Sequence, residues 1–103
     1  MLTQKQLIKL FESGVEVNFK IDRRTKKSGL YTPELNIDIY LNNLGSDKEK
    51  CVSVLHELIH ARDNFRSARL YEERPDEEVE QEAIKTYYKR SEVLTLARLI
   101  YAF

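Results

Sequence analysis

The sequence predicts an α+β domain, and three observations carry that prediction. Two stretches, "VEVNFKI" (15–21) and "LNIDIYL" (35–41), alternate apolar and polar residues without a fault, as half-buried strands do. The rest of the chain places apolar residues at helical spacing between recognisable caps. The strands cluster before the main helices instead of alternating with them, which separates this pattern from a parallel α/β repeat.

The elements follow in chain order. Thr3 and Gln6 form a capping-box pair, Leu7, Leu10 and Phe11 recur at helical spacing, and Gly14 supplies a stop, giving a helix over about 3–13. The first strand presents Val15, Val17, Phe19 and Ile21 on one face; the last presents Leu35, Ile37, Ile39 and Leu41. Between them "SGLYTPE" (28–34) is long enough for a short strand closed by a turn at Pro33, which completes a three-stranded sheet. A second capping box, Ser46 and Glu49, opens a helix running through Val52, Leu55 and Ile59. Pro75 then stands at a first helical position, followed by three acids that favour the positive end of the helix dipole. The chain closes on "SEVLTLARLIYAF" (91–103), either a packed last helix or an apolar tail lying in a groove.

Residues 1–103 suffice for a single domain with one modest core. Lys and Arg total 17, as do Asp and Glu, so no net charge recruits nucleic acid or an anionic membrane. The charges are unevenly placed: "KIDRRTKK" (20–27) is basic and "YEERPDEEVEQE" (71–82) acidic, read as a solvated loop and a solvated helix face. A nucleic-acid contact through Arg23, Arg24, Lys26 and Lys27 is disfavoured because no aromatic residue interleaves them. One cysteine, Cys51, excludes an intramolecular disulfide framework and reads as a small buried hydrophobe. No apolar run suits a signal peptide or a membrane span, so a soluble cytoplasmic protein is expected.

Both histidines fall in "VLHELIH", four residues apart, with Glu57 directly after His56. On a helix His56 and His60 lie about 40° apart and one turn along, so their imidazoles can converge on one ion. Glu57 is about 100° away, badly placed as a ligand but able to reach a water at the metal and act as general base. A catalytic Zn²⁺ needs a third protein ligand and an open fourth position. Asp63 shares the face but lies ~10 Å further along the axis, so it is expected in an outer ion pair or as a support. With no further histidine, the third ligand must be a carboxylate of another element. Val79, Ala83, Ile84 and Tyr87 define the apolar stripe of the acidic helix; Glu80 lies inside it, while Glu78 and Glu82 point to the opposite side. Glu80 is therefore the expected ligand, with Asp76 next and Glu77 third.

These residues resemble a gluzincin, in which His-Glu-x-x-His sits on one helix and a Glu on the next completes the site. "HELIH" matches the active-site helix, and "EQEA" (80–83) is similar to the Glu-x-x-Ala of the glutamate helix. "NIDIYLN" and "VSVLHELIH" also resemble the approach to the zinc helix in integral-membrane metallopeptidases of the CAAX-prenyl-protease type. In size and element order the chain resembles the minigluzincins, small proteins similar to the catalytic domains of those enzymes. Where those families commonly follow Glu-x-x-Ala with Asp, this chain carries Ile84.

The resemblance implies a minimal zincin domain: three-stranded sheet, N-terminal helix, active-site helix, glutamate helix and C-terminal helix or tail. It implies a zinc metallopeptidase with His56, His60 and Glu80 on the metal, Glu57 as base, and a peptide or protein substrate added to a sheet edge. Tyr87, two turns from Glu80, is the expected transition-state stabiliser, with Tyr71 and Tyr88 as alternatives. It further implies that residues 91–103 could be an inhibitory segment covering the metal site in a latent chain. The alternative is a catalytically silent zinc-binding scaffold or interaction module of the same fold.

Overall fold

A computed structural model describes the whole chain, Met1–Phe103. Helix α1 (Gln4–Glu12) begins at a complete capping box: the Thr3 hydroxyl accepts the Gln6 N–H, and the Gln6 side chain accepts the Thr3 N–H. It ends where Gly14 takes a φ of 94°, a conformation that favours glycine. Strands β1 (Glu16–Lys20), β2 (Gly29–Thr32) and β3 (Asn36–Tyr40) follow. The sheet order is β1-β3-β2, with β1 parallel to β3 and β2 antiparallel to it. β2 is consequently an edge strand.

The middle strand thus exists where the turn chemistry allows it, but Leu35 departs from the expected alternation. It sits at φ 69° in the turn, and β3 begins only at Asn36. The core face of the sheet is Tyr31, Ile37 and Ile39.

A 3₁₀ turn (Leu41–Asn43) leads to α2 (Asp47–Arg66), capped by Ser46, whose hydroxyl accepts the Glu49 N–H. The reciprocal half of the box is displaced: the Glu49 carboxylate takes the N–H of Gly45. α2 is the axle of the domain. Cys51, Val52, Val54, Leu55, Leu58, Ile59 and Ala61 are all buried, because α1, the sheet and the later helices surround it.

A short helix, α3 (Ala68–Glu73), was not expected; Ser67 ends α2 and caps α3 at once. α4 (Asp76–Lys89) starts one residue later than the proline signal implied, with Pro75 as its cap and Asp76 as its first residue. α5 (Ser91–Tyr101) packs on α1 and α4 through buried Val93 and Ala97. Tyr101 donates to the Val15 carbonyl at 3.1 Å, and the Phe103 ring stands 5.9 Å from that of Phe19. Segment 91–103 therefore closes the core on the side of α1. No helix is long and apolar enough to cross a membrane.

Candidate metal centre

Burial of the α2 seam against the sheet fixes the helix rotation and turns His56, Glu57 and His60 toward the edge strand. Around them lies a cleft of about 420 Å³, within the range of small-molecule and peptide sites. Its walls come from β2 (Gly29, Leu30, Tyr31), from α2, from Tyr71 of α3 and from Asp76 and Glu80 of α4. No residue of 91–103 lines it.

The two histidine Nε2 atoms stand 3.1 Å apart, and one oxygen of Asp76 is 2.8 Å from the first and 3.0 Å from the second. Atoms sharing a zinc at ~2.0–2.1 Å in a tetrahedral arrangement stand roughly 3.3 Å apart. The observed triangle is only a few tenths of an ångström tighter, and Asp76 is exposed and free to yield. Two nitrogens and a carboxylate oxygen suit zinc in donor type as well as in spacing. The donor set fits the ion.

The structure places the other candidates as follows. Glu80, the carboxylate favoured by helical phase, approaches the opposite nitrogen of His56, with Oε1 3.2 Å from Nδ1. Asp76, one turn earlier on the same face, is the carboxylate within reach of both Nε2 atoms. Helical phase puts both acids on this face, and their reach differs. Glu77 is exposed and does not line the cleft.

Asp63 is buried but away from the histidines. It accepts from Arg62 at 2.9 Å and from Arg74 at 2.8 Å. Glu82, on the side of α4 away from Glu80, pairs with Arg62 and with Arg74, which fold over it. Tyr87 lies outside the cleft, edge-on to Tyr88, because seven residues carry it about 10 Å along α4 from Glu80. Tyr71 is the tyrosine that lines the cleft, its ring 5.7 Å from that of His60. Ile84 lines an adjoining recess with Leu44 and Val52.

Glu57 is nearly fully buried, and burial pushes its carboxyl up to about 7; the Asp76 and Glu80 charges add to this and His56 opposes it. Burial depresses His60, partly offset by Asp76, and leaves it below the usual imidazole value. His56 suffers the same burial but ends above it, because Glu57, Asp76 and Glu80 together outweigh the loss. For Asp76 the hydrogen bonds from both histidines overcome desolvation and hold the carboxyl low. His60 Nδ1 is the one buried side-chain polar atom without a hydrogen-bond partner.

Gly29 lets the strand approach. A Cβ there would stand 3.1 Å from the Glu57 side chain and 3.2 Å from the Asp38 carbonyl oxygen, so a side chain would wedge β2 away from the base. In the β2–β3 ladder Ser28 accepts from Tyr40, so the antiparallel alternation points the backbone N–H and C=O of Gly29 and Tyr31 outward over the cleft, where the Tyr31 carbonyl accepts from the Tyr71 hydroxyl at 3.5 Å.

No protein-family model, curated protein or solved structure matches this chain.

Proposed function

We propose that this chain is a zinc-dependent peptidase of the gluzincin type, built on a minimal zincin fold and resembling the minigluzincins. One observation carries the reading: two imidazole nitrogens on α2 and a carboxylate on α4 converge on one point, beside a buried glutamate and beneath an open strand edge. His56, His60 and Asp76 would hold the metal, with Glu80 orienting His56 through Nδ1. When bound, zinc supplies Lewis-acid polarisation of a carbonyl and makes water a stronger acid.

The chain's own groups account for the rest. The outward N–H and C=O groups of Gly29 and the N–H of Tyr31 can take an extended peptide as an added strand, which sets its carbonyl beside Glu57. Glu57, its basicity raised by burial, takes the proton of the attacking water and passes it to the leaving nitrogen. Tyr71 is the neighbouring hydroxyl able to steady charge on the attacked oxygen.

A second reading, a zinc-binding scaffold without turnover, draws support from His60 Nδ1, which lacks the acceptor that usually holds a ligand histidine. Peptide cleavage by the zinc-loaded chain and by its Glu57→Gln variant separates the two. The peptidase reading expects cleavage at least 100-fold slower in the variant at equal zinc content, a loss on the order of those seen for a general base. Equal turnover in both, or none in the native chain, would reject it.

A further inference from the structure

The basic run of residues 20–27 takes no part in the metal centre, yet its last residue, Lys27, stands at one end of the cleft. Lys20 is engaged by Asp38 at 3.2 Å and Arg24 by Asp22 at 3.0 Å. Arg23, Lys26 and Lys27 form no ion pair and are exposed. The loop carrying them is held in place: Asn43 donates to the Thr25 and Lys27 carbonyls at 2.9 and 2.7 Å, and Asn42 exchanges hydrogen bonds with the Asp22 backbone. A tethered loop with three unpaired cations keeps its charges together without an internal reason to do so.

The register of the site gives this loop a direction. Lys27 itself lines the cleft, immediately before Ser28 and Gly29. At the other end of β2, Tyr31 meets Asn64 and Tyr71. Antiparallel pairing gives the more stable ladder, and a peptide so paired with β2 enters with its N-terminal half beside Tyr31 and Tyr71 and leaves with its C-terminal half past Lys27. If one of its residues lies opposite Gly29, those about two to four positions later lie opposite Lys27 and the loop.

We propose that the loop selects peptides carrying acidic residues on the C-terminal side of the bond held over Glu57. The inference rests on the peptidase reading for the direction of the bound chain, but it is a statement about binding and can be measured without turnover. Exposed pairs are individually weak, and three acting together in a preset loop give about a three- to tenfold preference. Screening by salt should erase it.

The test uses the full-length Glu57→Gln chain loaded with zinc and fluorescent peptides with an uncharged core and amidated ends. One bears three acidic residues at its C-terminal end, one bears them at its N-terminal end, and one bears the corresponding amides. Fluorescence anisotropy at low salt should show the C-terminal acidic peptide binding about three- to tenfold tighter than the amide control. The N-terminal version should show no gain. The advantage should vanish at high salt and in the combined Arg23→Gln, Lys26→Gln, Lys27→Gln chain, and shrink in Lys26→Gln alone.

An equal gain at both ends, a gain that survives these substitutions, or no binding of any peptide overturns the inference. So does a single-stranded oligonucleotide that displaces the acidic peptide and binds the loop more tightly. Charge preference in a chain whose native form cleaves nothing would keep the inference and remove the peptidase reading. Cleavage indifferent to flanking charge would do the reverse.

Discussion

Two clusters of charge bridge α2 and α4, and they are built on opposite principles. On one side Arg62 and Arg74 meet Asp63 and Glu82, with Glu78 and the Met1 amino group at the rim, and every charge is paired by protein. On the other, Glu57, Asp76 and Glu80 surround His56 and His60, an excess of anion around nitrogens that point at one another. The first cluster is complete as folded; the second, on the proposed function, is completed by an added cation. The pKa shifts carry the same contrast. Burial alone would raise Glu82, but Arg62 and Arg74 bring it down to about 2, whereas His56 and Lys27 offset the burial of Glu57 only in part and it rises to about 7.

The paired cluster should prove structural and the cleft cluster expendable to the fold. The largest effect tests the ground both stand on: removing residues 91–103 uncovers the α1 and α4 faces that Val93, Ala97 and Tyr101 close. The truncated chain should aggregate or lose its cooperative melt, with no gain in peptide cleavage, which excludes a covering role for this segment.

Glu82→Ala should cost about 3–5 kcal/mol in urea unfolding, since it strands two guanidinium groups in a mostly buried place. A loss under 1 kcal/mol would mean the network is solvated and the contrast false. Its pH dependence follows from the depressed pKa. As pH falls from about 4.5 toward 2, the unfolded carboxylate takes its proton before the folded one does, so stability is lost in that window, by up to about 3 kcal/mol.

Glu57 should behave in the opposite sense in the metal-free chain. Between about pH 4.5 and 7 the unfolded carboxyl ionises while the folded one remains protonated, so stability falls as pH rises and the penalty is complete above 7. Metal-free Glu57→Gln should therefore be more stable than the native chain at pH 8, by about 1–3 kcal/mol, and indistinguishable at pH 4. Destabilisation at pH 8 would show that Glu57 is a structural acid like Glu82.

The smallest effect separates the two carboxylates of α4. Glu80→Gln should weaken zinc binding about 10- to 100-fold, as loss of a partner that orients a ligand does, and Asp76→Asn should weaken it more. The reverse order in a zinc titration would return the ligand position to Glu80.

Much of this contrast was legible in the sequence, and the remainder failed for identifiable reasons. Strict alternation revealed β1 and β3, caps revealed α1, α2 and α4, and the His56–His60 spacing placed both imidazoles on one face. The strand order was not legible, because pairing β1 with β3 across an intervening strand leaves no local trace. α3 was missed because six residues are too few for a period; Ser67 with an apolar residue at Leu70 was its only signal. Axial rise separated Asp63 from the histidines, and the same arithmetic applied to Tyr87 carries it beyond the cleft that Tyr71 lines. Phase could not choose between Asp76 and Glu80, since residues four apart share a face. The burial of Glu82 was not legible, because Arg62 and Arg74 are side chains long enough to cover a carboxylate that lies outside the apolar stripe.

The claim that the second cluster awaits a cation is tested most directly by metal analysis of the full-length chain after exposure to zinc and exhaustive dialysis. The account predicts one zinc per chain, falling close to none in His56→Ala and unchanged in Glu82→Gln wherever that variant folds. Substoichiometric zinc in the native chain, or equal retention in His56→Ala, would contradict it.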